Sequence, residues 1–519
     1  MNAAIPVPKS VPPAGIVPSL TPDPTPHAAG GVVDGDRSPP LPTGLALGGA
    51  VVVVATFQLG VLYPALAALG LVWLGGLFAL RRVASPRWAF YLGTAIGLGM
   101  YAPQLAFFWT VFGPAAAVLW LILAFWIGLF LLLLHRCERR LGPWATPWLA
   151  PVLWFGLEYF RSELYPLRFS WFTAGSLLPV PELAPVLRLF GVYGSGALAM
   201  LLAAWCVRVW ESGARRVFRG TYRGLAVLAV GLVLGGLAMA LGGYQRTAAG
   251  KVRVAGVQFE FPGLPEVLEG LNSLLAAHPE TELILLSEYT LDGPPPPRLL
   301  RWCLEHARWL VVGGKAPQEG DRFLNTAFVI NPMGEVVFQQ AKSVPIQFFN
   351  DGEPAPGTRV WDSPWGPLGI AVCYDASYTR VIDRIVHQGA MALLLPAMDV
   401  EPWGAHQHRL NARVTRIRAA EYGLPVFRVA SSGISQLTDS RGGLRATAGF
   451  PGQGEVLAGE LSWPAMHPPT RPLDRYLVWP MLAGLLMAAA ATFRRRKPRS
   501  TPGGGDPISC RCACSSGSC

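Results

Sequence analysis

The heptapeptide Gly369-Ile370-Ala371-Val372-Cys373-Tyr374-Asp375 decides how the chain is read. The apolar run Leu368–Val372 has the pattern of a buried strand. It delivers Cys373 to the strand's end, with an aromatic residue and a carboxylate directly after it. A thiol there can be held rigidly and exposed to a cleft. It is a candidate nucleophile if an acid and a base arrive from elsewhere in the chain. Alone, a single cysteine is more often a buried packing residue. Its company decides.

Of 519 residues, 51% are hydrophobic and only 14% are charged. Mean hydropathy is +0.36. Soluble domains carry about 25% charge, so a large part of this chain belongs in a membrane. The formal net charge of +11 does not point to nucleic acid, because the basic residues cluster beside apolar runs. The 8 cysteines show no regular pairing pattern, which argues against a disulfide framework.

Residues 1–43 are rich in Pro, Gly, Ala and Asp, lack apolar periodicity, and are expected to be disordered. They also lack the charged start and apolar core of a cleavable signal peptide, so the first span is expected to act as an uncleaved signal. Residues 44–246 carry the apolar segments Leu45–Val61, Tyr63–Leu80, Trp88–Phe112, Ala115–Leu134, Trp144–Phe160, Phe190–Trp210 and Leu225–Tyr244. One more, Tyr476–Phe493, falls within residues 475–494. Each approaches the ~20 residues a helix needs to cross a bilayer, giving a bundle of about eight spans.

Arginines follow the even-numbered spans: Arg81, Arg82 and Arg87; Arg136, Arg139 and Arg140; Arg208, Arg215, Arg216, Arg219 and Arg223; then Arg494, Arg495, Arg496 and Lys497. An eight-span topology puts all of them on one side, which the positive-inside rule makes cytoplasmic. The segment between the last two spans is then outside the cytoplasm, periplasmic in a bacterium with two membranes.

That segment, residues 250–474, reads as one α/β domain. Strand patterns occur at Val252–Gln258, Leu283–Leu286, Trp309–Gly313, Thr326–Ile330, Glu335–Gln339, Leu368–Val372, Ala392–Leu395 and Val426–Ala430. Helical patterns fall at Val267–Ala276, Pro297–His306, Thr379–Gln388 and His406–Tyr422. Residues 495–519 form a basic tail with Cys510, Cys512, Cys514 and Cys519. Close-spaced cysteines can bind soft metals. With no histidine or second cluster to complete a site, a disordered tail is expected instead.

Three ionisable residues sit at predicted strand ends: Glu288, Lys342 and Cys373. A thiol beside a cation has its pKa lowered. A glutamate can take the thiol proton and return it to a leaving group. A lysine can stabilise an oxyanion. Together they suit acyl transfer through a thioester, without metal or cofactor. Singly, Glu288 and Lys342 could each be an exposed strand-end or loop charge.

The order Glu, Lys, Cys on strand ends resembles the nitrilase (carbon–nitrogen hydrolase) superfamily. Val252-Arg253-Val254-Ala255-Gly256-Val257-Gln258 resembles its first strand, and Leu285-Leu286-Ser287-Glu288 its Pro-Glu strand end, with serine for proline. The opening heptapeptide resembles its nucleophile strand. Gln388-Gly389-Ala390, Gln407-His408, Arg418-Ala419-Ala420-Glu421 and Ser432-Gly433-Ile434-Ser435 resemble later landmarks. About seven spans before the domain and one after it are similar to one branch, the apolipoprotein N-acyltransferases. In the membrane part, Glu158 to Arg161, Phe169-Ser170-Trp171-Phe172, Leu183-Ala184-Pro185 and Gly191-Val192-Tyr193-Gly194 resemble that branch's loop between the fifth and sixth spans.

The resemblance implies a four-layer αββα sandwich beside the helical bundle. It implies a monomeric inner-membrane enzyme that takes an acyl chain from a phospholipid, usually phosphatidylethanolamine. The chain passes through a cysteine thioester to the α-amino group of a lipoprotein's diacylglyceryl-cysteine. Carried over by motif, Cys373 is the nucleophile, Glu288 the general base and acid, and Lys342 the oxyanion support. Tyr374 and Asp375 would shape the site, and Trp171 would meet substrate or, with Phe172, form an aromatic belt. Glu158 is expected to pair with Arg161.

The chain departs from the pattern after Lys342, where the family's His-Leu-Val-Pro-Phe-Gly-Glu is replaced by Ser343-Val344-Pro345-Ile346-Gln347-Phe348-Phe349-Asn350-Asp351-Gly352-Glu353. Either Asp351 or Glu353 would replace the family's second glutamate. Asp375 stands where glutamate is common. The family's tryptophan after the first strand is missing, with Phe259 and Phe261 nearby. Cys303 is expected to lie in the core, apart from Cys373. Two other readings remain at this level: a membrane-tethered amidase, which would open Cys373 to bulk water, and a non-catalytic receptor or scaffold, which would have lost a triad member.

Overall fold

The computed structural model of the chain describes residues 39–212, 248–452, 454–464 and 471–493. Its first part is helical: α1 (Thr43–Leu62), α2 (Leu69–Ala79), α3 (Pro86–Gln104), α4 (Phe107–Phe112), α5 (Ala115–Leu141), α6 (Thr146–Tyr159) and α7 (Ala184–Ser212). Small residues let α3 and α5 approach backbone to backbone. Gly93 and Gly97 on α3 face Ala124 and Gly128 on α5, and a Cβ on Gly97 would lie 2.6 Å from the Ala124 Cα. Such stripes of small residues four apart are how apolar helices pack without a hydrophobic driving force.

The basic end of the bundle is tied by Arg81, which is fully buried. It pairs with Glu138 on α5 at 3.1 Å and with Glu211 on α7 at 2.5 Å. A hydrogen bond from the Leu41 amide to the Arg82 carbonyl brings the start of α1 to the same end. The opposite end meets the α/β domain.

That domain holds two six-stranded sheets. In the first, β1 (Ala248–Val257), β2 (Leu283–Leu286), β3 (Trp309–Pro317), β4 (Phe323–Ile330) and β5 (Val336–Ala341) lie in order, with β12 (Val456–Pro464) beyond β1. In the second, β6 (Val360–Ser363), β7 (Gly366–Ile370), β8 (Ala392–Ala397), β9 (Val426–Ala430), β10 (Gln436–Thr438) and β11 (Leu444–Thr447) are consecutive neighbours. The central strands of each sheet run parallel. Helices α8 (Leu264–Ala277) and α9 (Pro297–His306) cover the first sheet, and α10 (Thr379–His387) and α11 (Gly404–Tyr422) the second.

Strand alternation builds the layers. Val252, Val254, Leu283 and Leu285 point inward against Ile370, Leu394 and Phe427 of the facing sheet. Their neighbours Ala255, Val257, Ile284 and Leu286 point outward under α8 and α9. The result is the αββα sandwich. The sequence reading missed β6, β10, β11 and β12, which are short or carry charged and small residues that blur alternation. Cys303 is buried in the α8–α9 layer and Cys373 between the sheets, and both are free thiols.

The chain closes with α12 (Asp474–Phe493). Among the described residues, 4 helices are long and apolar enough to cross a membrane: α1, α5, α7 and α12. The expectation of about eight spans is therefore met in part. The second apolar segment forms a helix of only 11 residues, because Pro64 and a turn open it. The third breaks into α3 and α4 at Leu105, and the fifth is a 14-residue α6 that runs into the π-turn Phe160–Leu164. The Leu225–Tyr244 segment and the cysteine-containing tail lie outside the described residues.

Bundle and domain are joined by buried polar contacts. Glu163, in the π-turn, accepts hydrogen bonds from the Thr379 amide at 2.9 Å, the Thr379 hydroxyl at 2.8 Å and the Tyr193 hydroxyl at 3.0 Å. It also pairs with Arg380 at 3.0 Å. Arg475, at the start of α12, pairs with Glu421 at 2.9 Å and Asp383 at 3.1 Å. The expected Glu158–Arg161 pair does not form. Glu158 instead accepts the Ala174 amide at 2.7 Å, while Arg161 donates to the Phe172 carbonyl at 3.4 Å. The loop between α6 and α7 folds back over the bundle end, so its backbone reaches both groups first.

Candidate active site

Glu288 follows β2 by two residues, Lys342 follows β5 directly, and Cys373 stands three residues beyond β7. β2 and β3 are parallel, and two antiparallel pairings carry β3 to β5, so β2 and β5 run the same way and end at one edge of their sheet. Lys342 Nζ lies 2.8 Å from Glu288 Oε1 and 2.7 Å from Asp351 Oδ2, and all three side chains are buried. Asn325 on β4 bridges the two carboxylates, donating to Glu288 at 2.6 Å and Asp351 at 2.9 Å. Asp351 also accepts from the Tyr289 hydroxyl at 2.8 Å and the Ile346 amide at 2.7 Å. Asp351 therefore occupies the position left open between it and Glu353, which is exposed. Asn325 was missed by the sequence reading. A buried amide inside an apolar strand was its only signal.

The Cys373 backbone is left-handed, with φ of 47°, and Tyr289 beside Glu288 shares that conformation at 56°. Left-handed non-glycine residues store strain of order 1–3 kcal/mol each and cluster at functional sites. The Cys373 thiol faces the Met398 carbonyl at 3.7 Å. Asp375 accepts the Val344 amide at 2.8 Å, the Ser343 amide at 3.0 Å and the Val372 amide at 3.2 Å. It thus pins the segment after Lys342 to the nucleophile turn.

Burial pushes the Cys373 thiol well above its ordinary value, with the Glu288 charge adding to the rise and Lys342 opposing it. The expectation of a thiol lowered by its cation is corrected: in a dry site, desolvation outweighs the ammonium, and the thiol keeps its proton. Burial also raises Glu288; Lys342 pulls it down and the Asp351 charge pushes it up. Burial opposes the Lys342 charge, but the two flanking carboxylates outweigh it and hold Lys342 well above ordinary lysine. The site thus holds a fixed cation, a carboxyl of raised basicity and a protonated thiol.

Cys373 and Tyr374 line a cleft that continues between α4 and α5, past Phe108, Leu119, Ile122 and Leu123. Its lining on α5 runs from Leu119 to Leu123, roughly 6 Å along that helix. The cleft spans about 900 Å³ of space, part of it open to solvent. Trp171 lines the cleft and donates to the Ser377 hydroxyl at 3.0 Å. Phe172 is buried against Phe57 and Tyr101, inside the bundle rather than at a lipid interface. Phe348 and Phe349 close the other wall and stack edge-on against Phe112 of α4.

Residues 48–205 match the model of the apolipoprotein N-acyltransferase N-terminal domain, and residues 278–461 that of carbon–nitrogen hydrolase. An apolipoprotein N-acyltransferase of Geobacter metallireducens is 26% identical over 465 residues, 79% of this chain and 88% of the relative. One of Parasynechococcus marenigrum is 28% identical over 418 residues, 73% of this chain and 85% of the relative. Over most of its length the chain is similar to apolipoprotein N-acyltransferases. The two matched models correspond to the helical bundle and the αββα domain described above. Among solved structures, the carbon–nitrogen hydrolase from Helicobacter pylori G27 is 18% identical, with a TM-score of 0.36 over 45% of this chain and 94% of that one.

Proposed function

We propose that this acyltransferase moves an acyl chain from a phospholipid, phosphatidylethanolamine in the first instance, to the α-amino group of a diacylglyceryl-cysteine at a lipoprotein N-terminus. It would work as a monomer in the bacterial inner membrane, all eight apolar segments spanning, with the αββα domain on the periplasmic side. One observation carries the reading: the cleft that holds Cys373 is continuous with the space between α4 and α5. An acyl chain can lie there while its ester carbonyl reaches the sulfur. A tethered amidase would have no use for a wall of membrane helices.

In the proposed first half-reaction Glu288 takes the Cys373 proton as the sulfur attacks the ester carbon. Lys342 would steady the negative charge that grows on the ester oxygen. Collapse breaks the C–O bond, and Glu288 returns the proton to the departing lysophospholipid hydroxyl. Because both thiol and carboxyl are held above their ordinary values, the proton moves during attack and no free thiolate waits in the resting site. Tyr374 and Trp171 would contact the acyl chain near the carbonyl, and Asp375 holds the loop that carries Lys342.

The test places the purified protein in vesicles containing phosphatidylethanolamine with a labelled acyl chain, together with a synthetic peptide that begins with S-diacylglyceryl cysteine. The proposal expects label in an amide on the peptide. Label released as free fatty acid at a rate indifferent to the peptide would support a hydrolase instead.

A further inference from the structure

Gln407 lies near the start of α11, is buried to 2% exposure, and lines the cleft that holds Cys373. Its Nε2 donates to Asp399 Oδ1 at 3.0 Å, and Asn411 Nδ2 donates to the same oxygen at 2.6 Å. Asp399 is itself fully buried, and its Oδ2 receives Arg428 at 2.5 Å. A carboxylate paired with a guanidinium only accepts hydrogen bonds. The Gln407 amide therefore has one possible orientation. Nε2 faces Asp399, and Oε1 is turned away from it as an obligate acceptor.

That Oε1 is buried and, among the described residues, has no hydrogen-bond partner. Leaving a buried acceptor empty costs about 1–3 kcal/mol, and such groups in native structures call for an explanation. Asp399 directly follows Met398, whose carbonyl faces the Cys373 thiol. The vacant acceptor is thus held by the residue next to the carbonyl that the reacting sulfur faces.

On the acyl-transfer reading above, a substrate group supplies the donor. The ester of a phospholipid offers only acceptors at its reacting carbonyl. The incoming α-amine offers two N–H groups. We propose that Gln407 Oε1 accepts a hydrogen bond from the amine that attacks the Cys373 thioester, which makes Gln407 the amine-binding residue of the second half-reaction. The nitrogen lone pair forms the C–N bond. One N–H proton passes to Glu288, the C–S bond breaks, and that proton returns to Sγ. The second N–H stays on Oε1 throughout and becomes the N–H of the product amide.

The test uses acyl-enzyme formed from labelled phosphatidylethanolamine and freed of donor. It is mixed with a peptide bearing an N-terminal S-diacylglyceryl cysteine, or with the same peptide N-methylated on the α-amine. The methylated amine has one N–H, which must go to Glu288, so wild-type transfer to it is expected to be roughly tenfold slower, the worth of one hydrogen bond. Gln407→Met is expected to slow transfer to the primary amine about tenfold, to slow acylation by less, and to close the gap between the two peptides. Equal wild-type rates for both peptides would overturn the proposal, as would a Gln407→Met enzyme that keeps the full gap. Failure of the wild type to form any acyl-enzyme would instead defeat the acyl-transfer reading itself.

Discussion

Lys342 Nζ stands 2.7 Å from the Asp351 carboxylate, closer than its 2.8 Å contact with Glu288. The lysine is thus held from two sides. Asp351 holds it in place through hydrogen bonds to Tyr289, Asn325 and Ile346. Replacing Asp351 with Asn removes one charge-assisted contact, worth about 2 kcal/mol, so acylation is expected to fall roughly thirty-fold. Glu353→Gln, at an exposed position, is expected to leave acylation unchanged. Single-turnover labelling of both variants checks the contrast.

Removing the ammonium has a larger effect than removing either neighbour. Lys342→Met would strand the Glu288 and Asp351 carboxylates together in a buried site. Losing one partner of a buried ion pair costs about 3–5 kcal/mol. A lowered unfolding temperature in detergent, together with loss of acyl-enzyme, is the expected result.

The reaction should depend on pH through Glu288. Its folded-state pKa lies above the ordinary 4.5, first through burial and then through the Asp351 charge, against Lys342. The base form is the active one, so acylation is expected to be lost as pH falls through that raised value. The folded state also binds more protons than the unfolded one here. The stability Glu288 contributes is therefore full below the ordinary carboxylate range and is lost as pH rises through the folded pKa. In Asp351→Asn one negative charge is gone, and the acid limb of the pH–rate profile should move to lower pH.

Gly191 interrupts α7 with φ of 73°, and a Cβ there would lie 2.1 Å from the Asp474 carboxylate. That carboxylate accepts the Tyr193 amide at 3.1 Å and so caps the second half of α7. Gly191→Ala is expected to push α12 away and to lower the unfolding temperature sharply, while Gly113→Ala, in open space, falls less despite its own left-handed φ of 56°. Thermal unfolding of the two variants in one detergent makes the comparison.

The α/β domain was legible because its central strands are uninterrupted apolar runs, as at Leu283–Leu286, where the reading and the strand coincide. The flanking strands were not, since Leu444–Thr447 carries an arginine and is mostly exposed, leaving no periodicity to find. In the bundle, apolar composition shows that residues are buried or in lipid but not how a segment is divided. Tyr63–Leu80 looked like one span and is a turn followed by a short helix. Within the site, strand-end positions singled out Glu288, Lys342 and Cys373. Asn325, Met398 and the orientation of Gln407 depend on contacts across strands and helices far apart in sequence, which no local pattern records.

The most direct test of the central claim is the covalent intermediate. Purified protein is incubated with phosphatidylethanolamine carrying a labelled acyl chain, without an amine acceptor, and the protein is digested and mapped by mass spectrometry. The account predicts one hydroxylamine-sensitive acyl group on the peptide that contains Cys373, absent in Cys373→Ala. A hydroxylamine-sensitive adduct of equal yield in Cys373→Ala, or peptide acylation that proceeds at the wild-type rate in that variant, would contradict it.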